Sequence, residues 1–231
     1  IKKFYKNQID EQRLLSAKTN LYCKKNRVDA LNDAMKDNID IAIFDDGLQD
    51  SSLDYDLSFV CFNNINWIGN GFLIPSGPLR EKLKDISKYD AVFLNGNEED
   101  NLSIKHSIKK INGDIKIFET FYEPTNIDQF NIEDNYLIFS GIGNPNSFKK
   151  TLLKNKFKII KEMNFPDHYK YKKKDIDKIK IIANDLNAKI ITTEKDFVKI
   201  SQENLDKINF LEIDIIIKKQ NELISFIKTK I

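Results

Sequence analysis

Short, nearly continuous apolar runs recur along this sequence, and they limit its fold more than any other feature. Runs of this kind, without polar alternation, indicate strands that are covered on both faces. Segments with helical periodicity separate them, such as Arg27–Lys36, Asn146–Asn155 and Asp175–Asn187. The alternation predicts an α/β fold with a mainly parallel sheet and flanking helices. The predicted strands are Ile39–Phe44, Leu57–Phe62, Ala91–Leu94, Ile115–Phe121, Tyr136–Phe139, Phe157–Lys161, Lys189–Thr192 and Phe210–Ile217.

The chain has 231 residues, a length that suits one large domain or two small ones. A polar stretch at Thr125–Asn135 marks a weak boundary. We therefore expect a first domain at 1–125 and a smaller α/β subdomain at 136–231. The second range has the pattern of a compact βαβαβ unit.

Composition excludes several classes of protein. The 37 Lys and Arg against 35 Asp and Glu give a net charge of +2, which argues against a protein that coats nucleic acid. Two cysteines exclude a disulfide framework and a CxxC-type zinc site. No apolar run approaches the ~18 residues of a membrane span, and no signal peptide opens the sequence, so a cytosolic compartment is the default expectation.

The strongest local signal is the apolar run that ends in Asp45-Asp46-Gly47. Ligands of α/β sheets bind outside the carboxyl ends of the strands, and carboxylates there are suited to Mg²⁺. The pattern is that of a Walker B strand in a P-loop phosphotransferase. The alternative is a plain turn, in which Asp is also common.

A P-loop kinase also requires G-x-x-x-x-G-K-[ST], which does not occur in these residues. Gly141-Ile142-Gly143 lies between a predicted strand and a predicted helix, but Asn146 stands where a dinucleotide fingerprint has its third glycine. We interpret this segment as a tight turn with Pro145 at the helix start.

Three further segments are candidates for a site. The Gly- and Pro-rich stretch Gly69–Glu81 ends in Arg80-Glu81, and arginine is suited to bidentate phosphate contacts. Asp167-His168 stands at a predicted strand end, where a histidine beside a carboxylate favours proton transfer. Thr192–Asp196 ends another strand, and it also has the pattern of a helix N-cap by its second threonine.

Taken together, these motifs resemble the tetraacyldisaccharide 4′-kinase family, the lipid A 4′-kinases of Gram-negative bacteria. The resemblance covers nearly the whole chain and follows the order of the family's motifs. It rests on Asp45–Gln49, Gly69–Gly71 with Gly77–Glu81, Phe139–Pro145, Phe165–His168 and Thr192–Asp196, with Asp10-Glu11 near the start.

The resemblance implies a P-loop kinase that transfers the ATP γ-phosphate to the 4′-hydroxyl of a lipid A disaccharide precursor. It implies Mg²⁺, peripheral contact with the cytoplasmic face of the inner membrane, and a 136–231 subdomain that closes the active-site cleft. Asp10 resembles the base and His168 its partner, while Asp45 and Asp46 resemble the metal ligands. The residues that resemble substrate or nucleotide contacts are Glu11, Gln49, Arg80, Glu81 and Asp167.

Three departures from the family accompany this interpretation. The Walker A loop and a hydrophobic N-terminal segment would precede Ile1, so we expect an N-terminally truncated, inactive piece. Asp50 stands where the family usually has His, and Ile9 and Gln12 flank the acidic pair where Gly and Pro are usual. Two alternatives stay open: a metal-dependent sugar-nucleotide transferase that uses Asp45 and Asp46, and a catalytically inactive module that binds lipid or sugar.

Overall fold

The structure is a computed structural model, and it describes residues 1–5, 9–96 and 98–231, with side chains of the two helices that begin at 9 and 98 described from 12 and 101 onward. The α-helices of this part are α1 (Ile9–Lys18), α2 (Arg27–Lys36), α3 (Glu98–Ile111), α4 (Pro145–Lys154), α5 (Lys173–Asp185), α6 (Glu194–Phe197) and α7 (Gln220–Lys228). The strands are β1 (Lys2–Lys3), β2 (Cys23–Lys24), β3 (Phe59–Asn63), β4 (Ala91–Asn95), β5 (Lys116–Pro124), β6 (Asn135–Ser140), β7 (Lys158–Asn164), β8 (Lys189–Thr193), β9 (Ile208–Leu211) and β10 (Ile213–Ile217). Short 3₁₀ helices are Leu83–Lys88, Ile127–Gln129 and Gln202–Asn204.

The described residues form two compact units. The first contains Ile1–Gln49 and Pro124–Ile213, and the second contains Asp50–Glu123 and Asp214–Ile231. This grouping differs from the predicted ranges 1–125 and 136–231, because the N-terminal segment belongs with the second half of the chain. The predicted functional division stays a prediction.

The first unit is built on a parallel sheet with strand order β7-β6-β8-β9. Alternate residues of β6 pack on opposite faces, with Leu137 and Phe139 on one side and Tyr136 and Ile138 on the other. Helix α5 covers the first face through Ile176 and Ile179, and helix α4 covers the second through Phe148 and Leu152. Both faces are therefore apolar, as the continuous runs predict, and the expected βαβαβ unit is β6-α4-β7-α5-β8.

The second unit has a four-stranded sheet with strand order β10-β5-β4-β3. Strands β3, β4 and β5 are parallel neighbours. Val92 and Leu94 of β4 pack with Ile104 and Ile108 of α3. Ala91 and Phe118, with Leu223 of α7, form the core on the other face. The predicted α/β class is thus confirmed in both units.

Two predicted strands differ from the structure. Ile39–Phe44 is not a regular strand: Ile1 donates to Ile43 and Asp45 donates to Ile1, and Ile43 is 80% exposed. The predicted strand Phe210–Ile217 is two strands in different sheets. Glu212 separates them because its N–H donates to Asn126 Oδ1 (2.9 Å), which interrupts the ladder.

In the described residues, no helix is both long enough and apolar enough to span a membrane.

Candidate active site

The turns that follow β6, β7 and β8 meet at one edge of the first unit's sheet. The three strands are parallel, so their carboxyl ends lie on the same side. The N–H of Phe165 donates to the carbonyl of Ser140 (2.8 Å), and the N–H of His168 donates to the carbonyl of Gly141 (3.2 Å). These bonds hold the turn after β7 against the turn after β6.

His168 lies at the surface of this edge, beside Asp167. Its Nε2 is 4.0 Å from Asp167 Oδ2, and the side chains of His168 and Asp167 are 34% and 46% exposed. The backbone of His168 is left-handed, with φ of 57°, and its N–H also donates to Asp167 Oδ1 (2.9 Å). The two side chains are therefore neighbours, and Nδ1 of the imidazole is buried while the side chain as a whole is partly exposed. The role of His168 in proton transfer stays a prediction.

Near these residues lies the carboxylate of Asp196, whose segment Thr192–Asp196 the sequence indicates both as a candidate strand end for the site and as a helix start. Asp196 is fully buried, and its Oδ2 accepts from the N–H of Gly141 (2.9 Å) and the hydroxyl of Thr193 (2.8 Å). Lys199 Nζ pairs with Oδ1 at 3.0 Å and reaches the carbonyl of Gly141 at 3.3 Å. The predicted N-cap is also present, since Thr193 Oγ1 accepts from the N–H of Asp196 (3.1 Å). The signal in the sequence is an acidic residue three positions after the cap of a very short helix, which favours a local bond and gives no indication of one to Gly141.

Aromatic side chains pack together near the same turns. Tyr171 packs edge-on against Phe139 and Phe165. Its burial, together with the nearby Asp196 carboxylate, raises the pKa of Tyr171 far above its ordinary value. The tyrosine is therefore a neutral packing group over the whole physiological range.

The lysines that surround Tyr171 are exposed and lead into helix α5. Asp175 caps this helix by accepting from the N–H of Lys172 (2.9 Å). The segment 170–174 is thus a solvated helix start.

The Asp45-Asp46 turn also belongs to the first unit, and the contacts that hold it differ from those of Asp196. Asp45 pairs with Lys2 Nζ at 2.5 Å, yet its side chain remains 53% exposed. The buried guanidinium of Arg27 donates to the carbonyls of Asp45 (3.0 Å) and Asp46 (2.7 Å). Asp46 has a left-handed backbone, with φ of 54°. Arg27 therefore fixes the backbone of the turn, while the Asp45 and Asp46 side chains stay exposed.

The Gly- and Pro-rich loop is part of the second unit. Asn70 fixes it, donating from Nδ2 to the carbonyl of Ser76 (2.8 Å) and accepting from the N–H of Phe72 (3.2 Å). Gly77 has no space for a side chain, since a Cβ there would lie 2.4 Å from the carbonyl oxygen of Phe72. The loop thus has the fixed path that its composition predicts.

The predicted contact residues Arg80 and Glu81 follow that loop. Arg80 is exposed, and Glu81 accepts from the hydroxyl of Tyr89 (2.7 Å). Burial and this carboxylate raise the pKa of Tyr89 to about 12. Gln49 is exposed at the end of the first unit's N-terminal segment.

Comparison with known proteins identifies the family. The family model described as tetraacyldisaccharide-1-P 4′-kinase (LpxK) matches residues 7–231. This chain belongs to that family. A tetraacyldisaccharide 4′-kinase of Pelagibacter ubique is 51% identical over 223 residues, which cover 96% of this chain and 71% of that protein. The Rickettsia bellii enzyme of the same name is 37% identical over 79% of this chain and 55% of its own length.

A solved structure shows the same fold. The crystal structure of LpxK from Aquifex aeolicus, in complex with ATP, superposes with a TM-score of 0.61 at 22% identity. The match covers 90% of this chain and 63% of the Aquifex chain. The chain thus spans about half to two thirds of the Rickettsia and Aquifex proteins.

The kinase family's Mg²⁺ would find suitable ligands at Asp45 and Asp46. Among the described side chains, no group of three or more His, Cys, Asp or Glu residues is placed to hold a metal ion. Mg²⁺ does not need such a cage, because it is commonly held by one or two carboxylates together with water and substrate phosphates. The exposed carboxylates of this turn fit that donor set.

Asp10, the predicted base whose partner is His168, lies in α1. Asp10 and Glu11 occupy the first turn of this helix, and their side chains lie outside the described part of the structure. The last turn of α1 contacts the start of α6, where Lys18 Nζ is 3.6 Å from Glu194 Oε1. The kinase's predicted base is therefore carried by a helix of the same unit as His168.

Proposed function

We propose that the intact protein transfers the γ-phosphate of ATP to the 4′-hydroxyl of a tetraacyldisaccharide 1-phosphate. The single observation that carries the proposal is the Asp45-Asp46 turn of a chain in this family. Its backbone is anchored by buried Arg27, and its carboxylates remain exposed. The names of the relatives and the ATP in the Aquifex structure support the same reaction.

Phosphoryl transfer needs positioning and charge neutralisation more than covalent chemistry. When bound, Mg²⁺ would neutralise charge on the phosphate oxygens. Asp10 would accept the proton of the 4′-hydroxyl, and His168 would support that base. Residues that would contact the substrate or the nucleotide are Glu11, Gln49, Arg80, Glu81 and Asp167.

The test uses the intact protein with γ-labelled ATP and the tetraacyl disaccharide. We expect label in the lipid product, and none when the acceptor lacks its 4′-hydroxyl. His168→Ala should lower kcat about 10²-fold, the usual contribution of a group in proton transfer. Transfer from a nucleotide sugar instead of ATP would favour the transferase alternative, and lipid binding without turnover would favour the binding module.

We further propose that the Gly- and Pro-rich loop touches the cytoplasmic face of the inner membrane. Phe72 and Ile74 of this loop are 63% and 62% exposed, on the backbone that Asn70 fixes. The loop returns through Leu79, which donates to the carbonyl of Phe72 (3.2 Å), and the exposed Lys82 follows shortly after. Apolar side chains beside basic residues suit an anionic bilayer.

Vesicles of phosphatidylethanolamine and phosphatidylglycerol test this contact. Replacing Phe72 and Ile74 together with Ser should weaken binding at least about tenfold, because each apolar side chain contributes about 1.5–3 kcal/mol when buried. The matched control is Ile181→Ser, which alters a similarly exposed residue (59%) of α5. Equal binding by the double variant and the control would contradict the proposal.

A further inference from the structure

We propose that Asp196 is a positioning residue for the phosphoryl-transfer reaction, and that it holds His168 in place through the Gly141 turn. The inference rests on the role of His168 in the proposed function. Asp196 itself is fully buried, so its effect on a substrate must pass through the backbone that it binds.

The first step joins Asp196 to Gly141. Oδ2 of Asp196 accepts from the N–H of Gly141 at 2.9 Å, across 55 residues of sequence. Lys199 fixes the other carboxylate oxygen at 3.0 Å, and its side chain is only 8% exposed. Thr193 adds a third contact through its hydroxyl. Both oxygens of the carboxylate are thus bonded, and Oδ2 is the one that accepts from the Gly141 turn.

The second step joins Gly141 to His168. The carbonyl of Gly141 accepts from the N–H of His168 at 3.2 Å. The turn has little space to move, because a Cβ on Gly141 would lie 3.0 Å from the hydroxyl of Tyr171 and 3.2 Å from the carbonyl of Pro166. One peptide turn therefore bonds to the buried carboxylate through its N–H and to the histidine through its carbonyl.

Removal of the Asp196 carboxylate would disturb this arrangement in a defined way. The N–H of Gly141 and the hydroxyl of Thr193 would lose their acceptor, and Lys199 would lose its partner in a buried position. The turn would move to find other partners, and His168 would move with it. Small displacements of a catalytic group lower rates steeply.

A double-mutant cycle in the intact protein tests the coupling. Asp196→Ala should lower kcat at least about tenfold in the wild-type background. In the His168→Ala background it should change kcat less than about twofold, because the positioned group is already gone. Asp196→Asn combined with Lys199→Gln replaces the ion pair by an amide pair and keeps an acceptor for Gly141, so it should restore kcat to within about threefold of wild type.

Leu152→Ala is the control for stability. Leu152 is fully buried on the opposite face of the same sheet, and its truncation should lower the melting temperature without lowering kcat. An equal loss of kcat from Asp196→Ala in both backgrounds would overturn the proposal. Full activity of His168→Ala would instead show that the proposed role of the histidine is wrong.

A second readout does not depend on activity. In the ¹³C-imidazole spectrum of the intact protein, His106→Gln and His168→Gln identify the signals of the two histidines of these 231 residues. Thr193→Val removes one hydrogen bond to Asp196, and it replaces Asp196→Ala in this experiment if Asp196→Ala fails to fold. It should shift the His168 signal and leave that of His106 unchanged. An unchanged His168 signal would contradict the proposal.

Discussion

Two carboxylate-bearing turns of the first unit differ in what holds them. Asp196 is fully buried, with both oxygens bonded to Gly141, Thr193 and Lys199. Asp45 is half-exposed: its Oδ2 pairs with Lys2, and the backbone of its turn is bonded to buried Arg27. A carboxylate that already organises the fold has no oxygen left for a ligand, whereas an exposed one on an anchored backbone is available to a cation.

The largest expected effect is on activity at the exposed turn. Asp45→Asn keeps an acceptor for Lys2 but removes the charge that would bind Mg²⁺. We expect kcat of the intact protein to fall about 10²-fold or more. Its free energy of unfolding should fall by about 1–3 kcal/mol, because the largely buried Lys2 loses its anionic partner while Asp45 itself is half-exposed. A folded variant with normal kcat would remove Asp45 from the site.

The next effect is on stability at the buried turn. Lys199→Met leaves the Asp196 carboxylate buried without its cation, and it should lower the free energy of unfolding by about 3 kcal/mol. The control is Lys149→Met, since Lys149 pairs with Glu162 at 2.6 Å and is 40% exposed. That change should cost about 1 kcal/mol or less. Urea unfolding at neutral pH measures both, and equal losses would contradict the distinction between buried and exposed pairs.

A smaller effect extends the comparison to the second unit. Burial raises the pKa of Glu119, but hydrogen bonds from Lys105 and Asn101 outweigh it, and the net pKa is lowered. A lowered folded pKa gives stability that is present above the ordinary pKa of about 4.5 and lost as pH falls through the folded value. Glu119→Gln should therefore flatten the decline of stability between about pH 5 and pH 3. If the free energy of unfolding, measured in urea at each pH, declines as steeply in the variant as in the wild type, Glu119 is not responsible for the decline.

The smallest effect concerns an ion pair in which both side chains are exposed. Lys219 Nζ lies 2.8 Å from Glu222 Oε1 at the start of α7. Glu222→Gln should leave the melting temperature unchanged within error, because water and salt screen such pairs. A clear drop would mean that exposed carboxylates here also organise the fold.

Much of the fold follows from the sequence, for physical reasons. The strands β6 and β8 are short apolar runs between helical segments, and their two covered faces require that pattern. The run Ile39–Phe44 is similarly apolar but forms no strand in the part of the chain that the structure describes. An apolar run does not by itself determine which other strand pairs with it. The break at Glu212 depends on a bond to Asn126, which lies 86 residues away.

The candidate site was predictable where a motif is local. Asp45, Asp46 and Asp167-His168 stand in short recognisable segments, and their catalytic roles stay predictions. The segment of Asp196 was a candidate from its pattern, but the contact of Asp196 was not predictable, because its bond to Gly141 joins two distant strand ends. Local patterns thus identified the segments of the site and missed the contact that joins Asp196 to Gly141.

The most direct test of the account measures metal affinity at the exposed turn. Mn²⁺ serves as a paramagnetic substitute for Mg²⁺, and its binding to the intact protein with ATP is followed by electron paramagnetic resonance. We expect Asp45→Asn to weaken Mn²⁺ binding at least about tenfold, while Lys149→Met binds as wild type does. Wild-type affinity in Asp45→Asn would contradict the claim that the exposed carboxylate, on its anchored backbone, is the one that binds the cation.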